Sequence, residues 1–354
     1  MTTSRIARGV AALVGLLAGR AWSEAPPPVD VRPLPAERRV DVTVGGKPFT
    51  AYVWPERLAK PVLYPIRTAR GTLVTRGFPL DPRPGERVDH PHHVGLWFNY
   101  GDVNGVDFWN NAETLPKEQQ AKMGRIVHKA VASTKSGAGV GELVVDADWI
   151  MPDGSVALHE RTRFVFRADA DTRSIERDTE LTAGDKPVAF PDNKEGVLGL
   201  RVARGLEQPA DKPEVFTDAA GKPTAVPVLD NTGVTGSYTS SEGLTGDKVW
   251  GTRGRWCALA GKVEGEDVVL LVLDHPNNPG YPTYWHARGY GLFAANPLGA
   301  SVLTDGKQTF DLTLEPGKST TFHFRVLILG GTAKPAEIEK AYQEFAPQKA
   351  TAAR

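Results

Sequence analysis

From Arg39 onward, apolar and polar positions alternate with period two in strand-length runs bounded by turn residues. The pattern predicts strands over 39–44, 49–54, 125–133, 142–151, 157–167, 173–182, 197–203, 256–263, 268–273, 291–295, 309–314 and 320–329. Turns such as Pro152-Asp153-Gly154 and Glu315-Pro316-Gly317 separate several of them. Only 335–345 has the apolar spacing of an amphipathic helix. So many strands without alternating helices predict an all-β fold, a large antiparallel sandwich with a short C-terminal helix. No composition break divides the chain, so 39–346 is expected to form one domain. The proline-rich stretch 26–38 is expected to be an extended linker. The proline-rich and polar segment 205–236 is expected to pass over the mouth of the sandwich as a long loop.

Composition narrows the setting. Arg5 and Arg8 precede a short apolar core from Gly9 to Gly19, and small residues follow at Ala21-Trp22-Ser23. Residues 1–25 therefore have the form of an export signal, which places the mature protein in the periplasm or outside the cell. No run is long and apolar enough to predict a membrane helix, so no membrane partner is expected after cleavage. Cleavage after Ser23 would remove three arginines and no acid, leaving 42 − 3 = 39 basic residues against 42 acidic. That balance offers nucleic acid no electrostatic footing. One cysteine, Cys257, excludes an internal disulfide, and its apolar neighbours suit a buried thiol.

Candidate chemistry concentrates between Asp89 and Trp109. Three of eight histidines (His90, His92, His93) and two of eight tryptophans (Trp97, Trp109) fall there, among Asp89, Asp102, Asn104 and Asp107. A second patch, Asp274-His275-Pro276, repeats the Asp-His-Pro of Asp89-His90-Pro91 and leads to Trp285, His286, Arg288 and Asn296. A third carries Glu195 and Arg201 on a strand whose glycines alternate with apolar residues. These patches are expected to meet at one end of the sandwich. His128, His159 and His323, isolated in strand patterns, suit structural hydrogen bonds. Trp54, Trp149 and Trp250 suit the core.

The residue types favour carbohydrate. Indole and phenol rings stack on the apolar face of a sugar, while Asp, Asn and Arg offer bidentate partners to its hydroxyls. Histidine and a tuned carboxylate can move protons near neutral pH. The expected catalytic set is His92, His93, Glu195, His275 and His286, with a clustered histidine as acid and Glu195 as base. The expected binding set is Asp89, His90, Trp97, Asn104, Asp107, Arg201, Trp285, Arg288 and Asn296, with Arg201 or Arg288 holding a hydroxyl or carboxylate. No cofactor is expected. The rival is zinc or copper held by His90, His92 and either His275 or His286. A non-catalytic glycan-binding protein would use the same cleft. No His-Glu-x-x-His, Cys-x-x-Cys, Gly-x-Ser-x-Gly or phosphate-cradling motif occurs.

The run Asp-His-Pro-His-His-x-Gly-Leu-Trp-Phe-x-x-Gly-Asp-Val-Asn-Gly-Val-Asp-Phe-Trp, followed later by Trp-His-x-Arg-x-Tyr-Gly-Leu-Phe-Ala-Ala-Asn-Pro, resembles the bacterial family catalogued as methane oxygenase PmoA. The resemblance spans roughly residues 35–345 and departs from the family pattern at Val94 and Gly289. It implies an exported β-sandwich, similar in outline to galactose mutarotase-like folds, which bind sugars in an open cleft and use histidine with glutamate. A membrane oxygenase subunit would need several apolar helices of about twenty residues each, so the label is not itself a function.

Overall fold

The computed structural model describes residues 25–348, so the expected signal segment lies outside the described residues, apart from Ala25. In chain order the strands are β1 (Pro28–Leu34), β2 (Arg39–Val44), β3 (Lys47–Val53), β4 (Val62–Leu63), β5 (Leu96–Tyr100), β6 (Arg125–Lys135) and β7 (Gly137–Ala138). Then come β8 (Val140–Ile150), β9 (Val156–Ala168), β10 (Thr172–Ala183), β11 (Val188–Phe190), β12 (Gly196–Arg201) and β13 (Ser237–Ser240). The last are β14 (Trp256–Val263), β15 (Glu266–Asp274), β16 (Tyr284–Arg288), β17 (Leu292–Asn296), β18 (Leu312–Leu314) and β19 (Ser319–Gly330). Helices are α1 (Lys117–Gln120), α2 (Ala300–Leu303) and α3 (Pro335–Phe345).

Two large antiparallel sheets pack face to face. One has the order β16-β17-β12-β5-β4-β3-β2-β1-β7, the other β13-β14-β15-β19-β10-β9-β8-β6. Their inner faces share one apolar core, with Val42, Leu96, Phe98 and Leu198 from the first and Leu143, Phe164, Leu270 and Phe322 from the second. Alternation explains the layering, because successive side chains of a strand point to opposite faces. On β15, Leu270 and Val272 join that core, whereas Val269, Leu271 and Leu273 face out and are covered by Ile338, Tyr342 and Phe345 of α3. Helix α3 thus supplies the second apolar layer that a two-faced strand requires.

The prolines of 26–38 do not make a linker. Residues 28–34 form β1, paired along its length with β2 from Val29↔Val44 to Leu34↔Arg39. Val29 and Val31 are buried beneath it, and their alternation outweighs the flanking prolines. Trp250, expected in the core, is 38% exposed. The segment 205–236 buries Leu206 in the inter-sheet core at its start. It packs on the loop before β5 through Arg87–Glu207 at 2.7 Å and Arg87–Glu214 at 2.7 Å. No helix among the described residues is long and apolar enough to cross a membrane.

Candidate functional site

The site is built on the outward face of the first sheet. Register places Trp97 of β5 opposite Gly199 of β12, Gly199 opposite Ala294 of β17, and Ala294 opposite His286 of β16. Two small residues between two rings leave a trough across four strands. The closeness is tight: a Cβ on Gly199 would come within 2.3 Å of the Trp97 ring. This is the reason for Gly199, while Gly196 on the opposite face is kept small by the Tyr100 ring, which a Cβ there would meet at 2.5 Å. His93 lies over Trp97, rings nearly parallel and centroids 5.2 Å apart.

The loop 89–93 overhangs this floor, and buried cations hold it in place. Arg76, 1% exposed, donates to the carbonyls of Arg87, Asp89, His90 and His93 and to Asp89 Oδ1 at 2.8 Å. Arg201, 0% exposed, grips both carboxylate oxygens of Asp89, at 2.6 and 3.2 Å. Lys60 donates to the His92 carbonyl at 2.9 Å from beside the Trp97 ring. Asp89 Oδ2 in turn meets His90 Nδ1 at 2.6 Å. His90 sits in the left-handed region, φ 43°, a strained setting for a non-glycine residue that tends to mark functional positions. Its ring stacks in parallel with Tyr290 at 4.7 Å and His93 at 4.9 Å.

Floor and loop enclose a cleft of about 250 Å³ lined by His90, His92, His93, Trp109, Asn110, Lys194, Glu195, His286, Arg288 and Tyr290. Open grooves of about 700 and 750 Å³ lie elsewhere and include at most one histidine, His128. Across the cleft, His286 Nδ1 is 3.2 Å from the Lys194 carbonyl and 3.9 Å from Glu195 Oε2, while Lys194 reaches Glu195 Oε1 at 3.2 Å.

Burial sets the protonation states. It lowers His92 to about 2, helped by the Lys60 charge, and His286 to about 4, helped by Arg288 and Lys194. His93 is pushed well below its ordinary value by burial and then by His92 and Arg201. Burial also brings Lys60 down to about 7 against a partial offset from Asp107. Asp89 goes the other way. Burial alone would raise it, but Arg201, the bond to His90 and Arg76 hold it well below the usual carboxylate range. Among the described residues, the buried ring nitrogens His92 Nε2, His93 Nδ1, His93 Nε2 and Trp109 Nε1 have no hydrogen-bond partner. Such groups are costly to bury unless something else pairs with them.

The expected residues thus separate. His90, His92, His93, Glu195, His286 and Arg288 converge, but on a sheet face and not at an end of the sandwich. Trp97 floors the cleft from beneath His93. Arg201 is spent on Asp89, and Asp89 on two arginines and His90. Asp107 caps the turn that sets Trp109 and Asn110, accepting from both backbone amides. Asn296 donates to the Asn193 carbonyl, and Asn193 accepts from the Glu195 amide, so Asn296 braces the turn carrying Glu195. Asn104 lies in an exposed turn and bonds to the backbone of Pro187 and Ala189.

Two residues need correction outright. Trp285 is wholly buried in the inter-sheet core, because His286 claims the outward position on β16. His275 lies beneath α3, stacked on His323 at 4.6 Å and bonded through Nε2 to the Gln348 carbonyl at 2.6 Å. The repeated Asp-His-Pro was therefore not a sign of shared location. His275→Ala is expected to leave ligand binding in the cleft intact and to lower the melting temperature by loosening the end of α3. Calorimetry with a binding assay checks this, and lost binding at an unchanged melting temperature would contradict it. A metal set through His275 cannot form, and among the described residues no three His, Cys, Asp or Glu side chains stand together as one. Arg76, Lys60, Lys194, Asn110 and Tyr290 escaped the sequence. A lone basic residue carries no spacing signal, and their roles arise from contacts across strands.

No curated protein matches the sequence significantly. Among solved structures, the chain is similar to a galactose mutarotase-like protein from Clostridium acetobutylicum, at 9% identity over 86% of this chain and 98% of that one, TM-score 0.38. It is also similar to the GH36 α-galactosidase AgaB from Geobacillus stearothermophilus, at 11% identity over 85% of this chain, TM-score 0.36. The chain spans 41% of that enzyme's length. Likeness at this level does not extend to chemistry. The sequence also matches one family model, whose description assigns no activity and lends no support to the methane oxygenase label. That match covers residues 39–343, most of the chain, and the protein belongs to the family of unknown function DUF6807.

Proposed function

We propose that this protein is an exported carbohydrate-active enzyme that performs acid–base chemistry on a sugar, as an epimerase, lyase or hydrolase. The observation that carries the reading is the Asp89–His90 pair, 2.6 Å apart, in a cleft that also holds Glu195. A carboxylate bonded to one imidazole nitrogen fixes the tautomer and aims the other nitrogen. Here Nδ1 faces Asp89, so Nε2 is the atom left for substrate. His90, expected from the sequence as a binding residue, is in this reading the proton carrier, with Glu195 as its counterpart.

His92 and His93 take a different part. Held neutral far below pH 7, they cannot store a proton. Their unpaired ring nitrogens suit hydroxyls, which both donate and accept. Trp109, fully buried against His93 and Trp97, and Tyr290, stacked on His90, hold the histidine rings in place. A protein that only bound glycans would have little use for an imidazole oriented by a carboxylate anchored on two buried arginines.

The test is a screen of purified, chelator-treated protein against plant and algal oligosaccharides, following both binding and product formation. Turnover under these conditions supports the enzyme reading. Binding without turnover across the panel leaves a glycan-binding protein, and activity restored only by an added metal ion moves the histidines to the rival chemistry.

A further inference from the structure

The cations around the cleft are almost all committed. Arg76 and Arg201 hold Asp89, Arg87 holds Glu207 and Glu214, and Lys194 holds Glu195. Arg288 is different. It lies two residues beyond His286, on the same outward face of β16, and lines the cleft. Its guanidinium is stacked over Trp250, at 5.3 Å, and near the Tyr290 ring, at 5.8 Å. Among the described residues its N–H groups meet neither a carboxylate nor a carbonyl. Ring stacking holds the plane of a guanidinium and leaves its edge free, a fork of donors that matches a carboxylate in bidentate fashion.

The local charge balance adds a second argument. Three carboxylates, Asp89, Glu207 and Glu214, answer Arg76, Arg87 and Arg201, and Glu195 answers Lys194. Lys60 also lacks a carboxylate partner, but it is buried against the Trp97 ring with its ammonium on the His92 carbonyl and does not line the cleft. Arg288 is the cation left over inside a partly enclosed cleft, beside His92, His93 and His286, whose charging burial disfavours, and a concave site focuses such a field on its ligand. The volume of about 250 Å³ is below the roughly 300 Å³ at which sites for drug-sized ligands begin, and it suits one sugar residue.

We propose that the ligand of this cleft is a sugar acid whose carboxylate lies on the free edge of Arg288. The proposal rests on the carbohydrate reading above and narrows it to uronates. Trp250, exposed on the surface, thereby gains a role: it is the platform that orients Arg288.

Isothermal titration calorimetry on the full chain tests this with glucuronate, galacturonate and mannuronate, their neutral parent sugars, and benzoate as a carboxylate that is no sugar. At least one uronate should bind tenfold or more tightly than its neutral parent. Arg288→Gln should weaken that uronate by about 10- to 100-fold more than it weakens the neutral parent, so that the preference between the two collapses. Arg288→Lys, which keeps the charge and loses the fork, should fall between them. Neutral sugars binding as tightly as uronates, or a preference that survives Arg288→Gln, would overturn the proposal and leave the carbohydrate reading standing. Benzoate binding through Arg288 with no sugar bound would overturn the carbohydrate reading itself. Absence of binding by every probe at millimolar concentration would overturn both.

Discussion

If the protein works as the proposed acid–base enzyme, His90→Ala and Glu195→Gln are each expected to lower its sugar turnover by about 10²–10⁴, the usual cost of losing one acid–base group. Both side chains line the cleft without carrying its structure, so circular dichroism and melting temperature should stay close to those of the parent. Asp89 should behave differently. Asp89→Asn keeps the shape but no longer balances Arg76 and Arg201, both fully buried. Breaking a buried ion pair from one side typically costs about 3–5 kcal/mol. That variant should therefore lose turnover and stability together. Full activity in both His90→Ala and Glu195→Gln would remove the proposed pair from the chemistry. An Asp89→Asn protein as stable as the parent would show that the loop 89–93 does not depend on this carboxylate.

Acid should destabilise the fold well before its ordinary carboxylates titrate. His93, His286 and His323 are buried and His92 nearly so. Burial is the first cause holding each low: about 2 for His92, about 3 for His323, about 4 for His286, and far below the ordinary value for His93. In the unfolded chain each titrates near pH 6.5. As pH drops below that value, the unfolded chain takes up protons that the folded chain refuses, and stability falls until about pH 4. Asp178 and Asp274 act in the opposite sense. Burial raises both to about 7, so their cost at neutral pH is relieved as pH falls. His128, lowered to about 4 by burial, and His275, lowered as well, add to the histidine side, while Glu207, raised by burial, joins the aspartates. The histidines remain the larger group, so stability falls as pH drops from about 6.5 to 4, by on the order of a few kcal/mol per pH unit. Melting curves at pH 7, 5.5 and 4.5 check this, and about 2 °C or more should be lost for each kcal/mol. A melting temperature that holds or rises on acidification would mean that the aspartates dominate.

Much of the architecture follows from local pattern. Period-two alternation marks β2 and β14 to the residue and most of the long strands within a few positions, because a face that must be buried repeats every second side chain. The same logic marks α3 over 335–345. β5 and β16 were harder. All five residues of β5 and four of five in β16 are buried, so neither shows alternation. β1 was hidden by its prolines.

The site divides along the same line. Clustered histidines and the spacing of Glu195 from His286 by sequence patch were visible as composition, and residues 90, 92, 93, 195, 286 and 288 do share one cleft. What sequence determined, then, was which side chains could do chemistry and which strands could carry them. Only tertiary structure decided their direction. Trp285 and His286 are adjacent in sequence yet occupy opposite faces, one in the core and one in the cleft. Asp274-His275-Pro276 and Asp89-His90-Pro91 are alike in sequence, yet one lies under α3 and the other over β5. Arg76, Arg201 and Arg288 are equivalent as letters, and the difference between a structural cation and a free one lies in partners 13 to 112 residues away, or in their absence. Partnership of that kind depends on register between strands distant in sequence, which local periodicity does not encode.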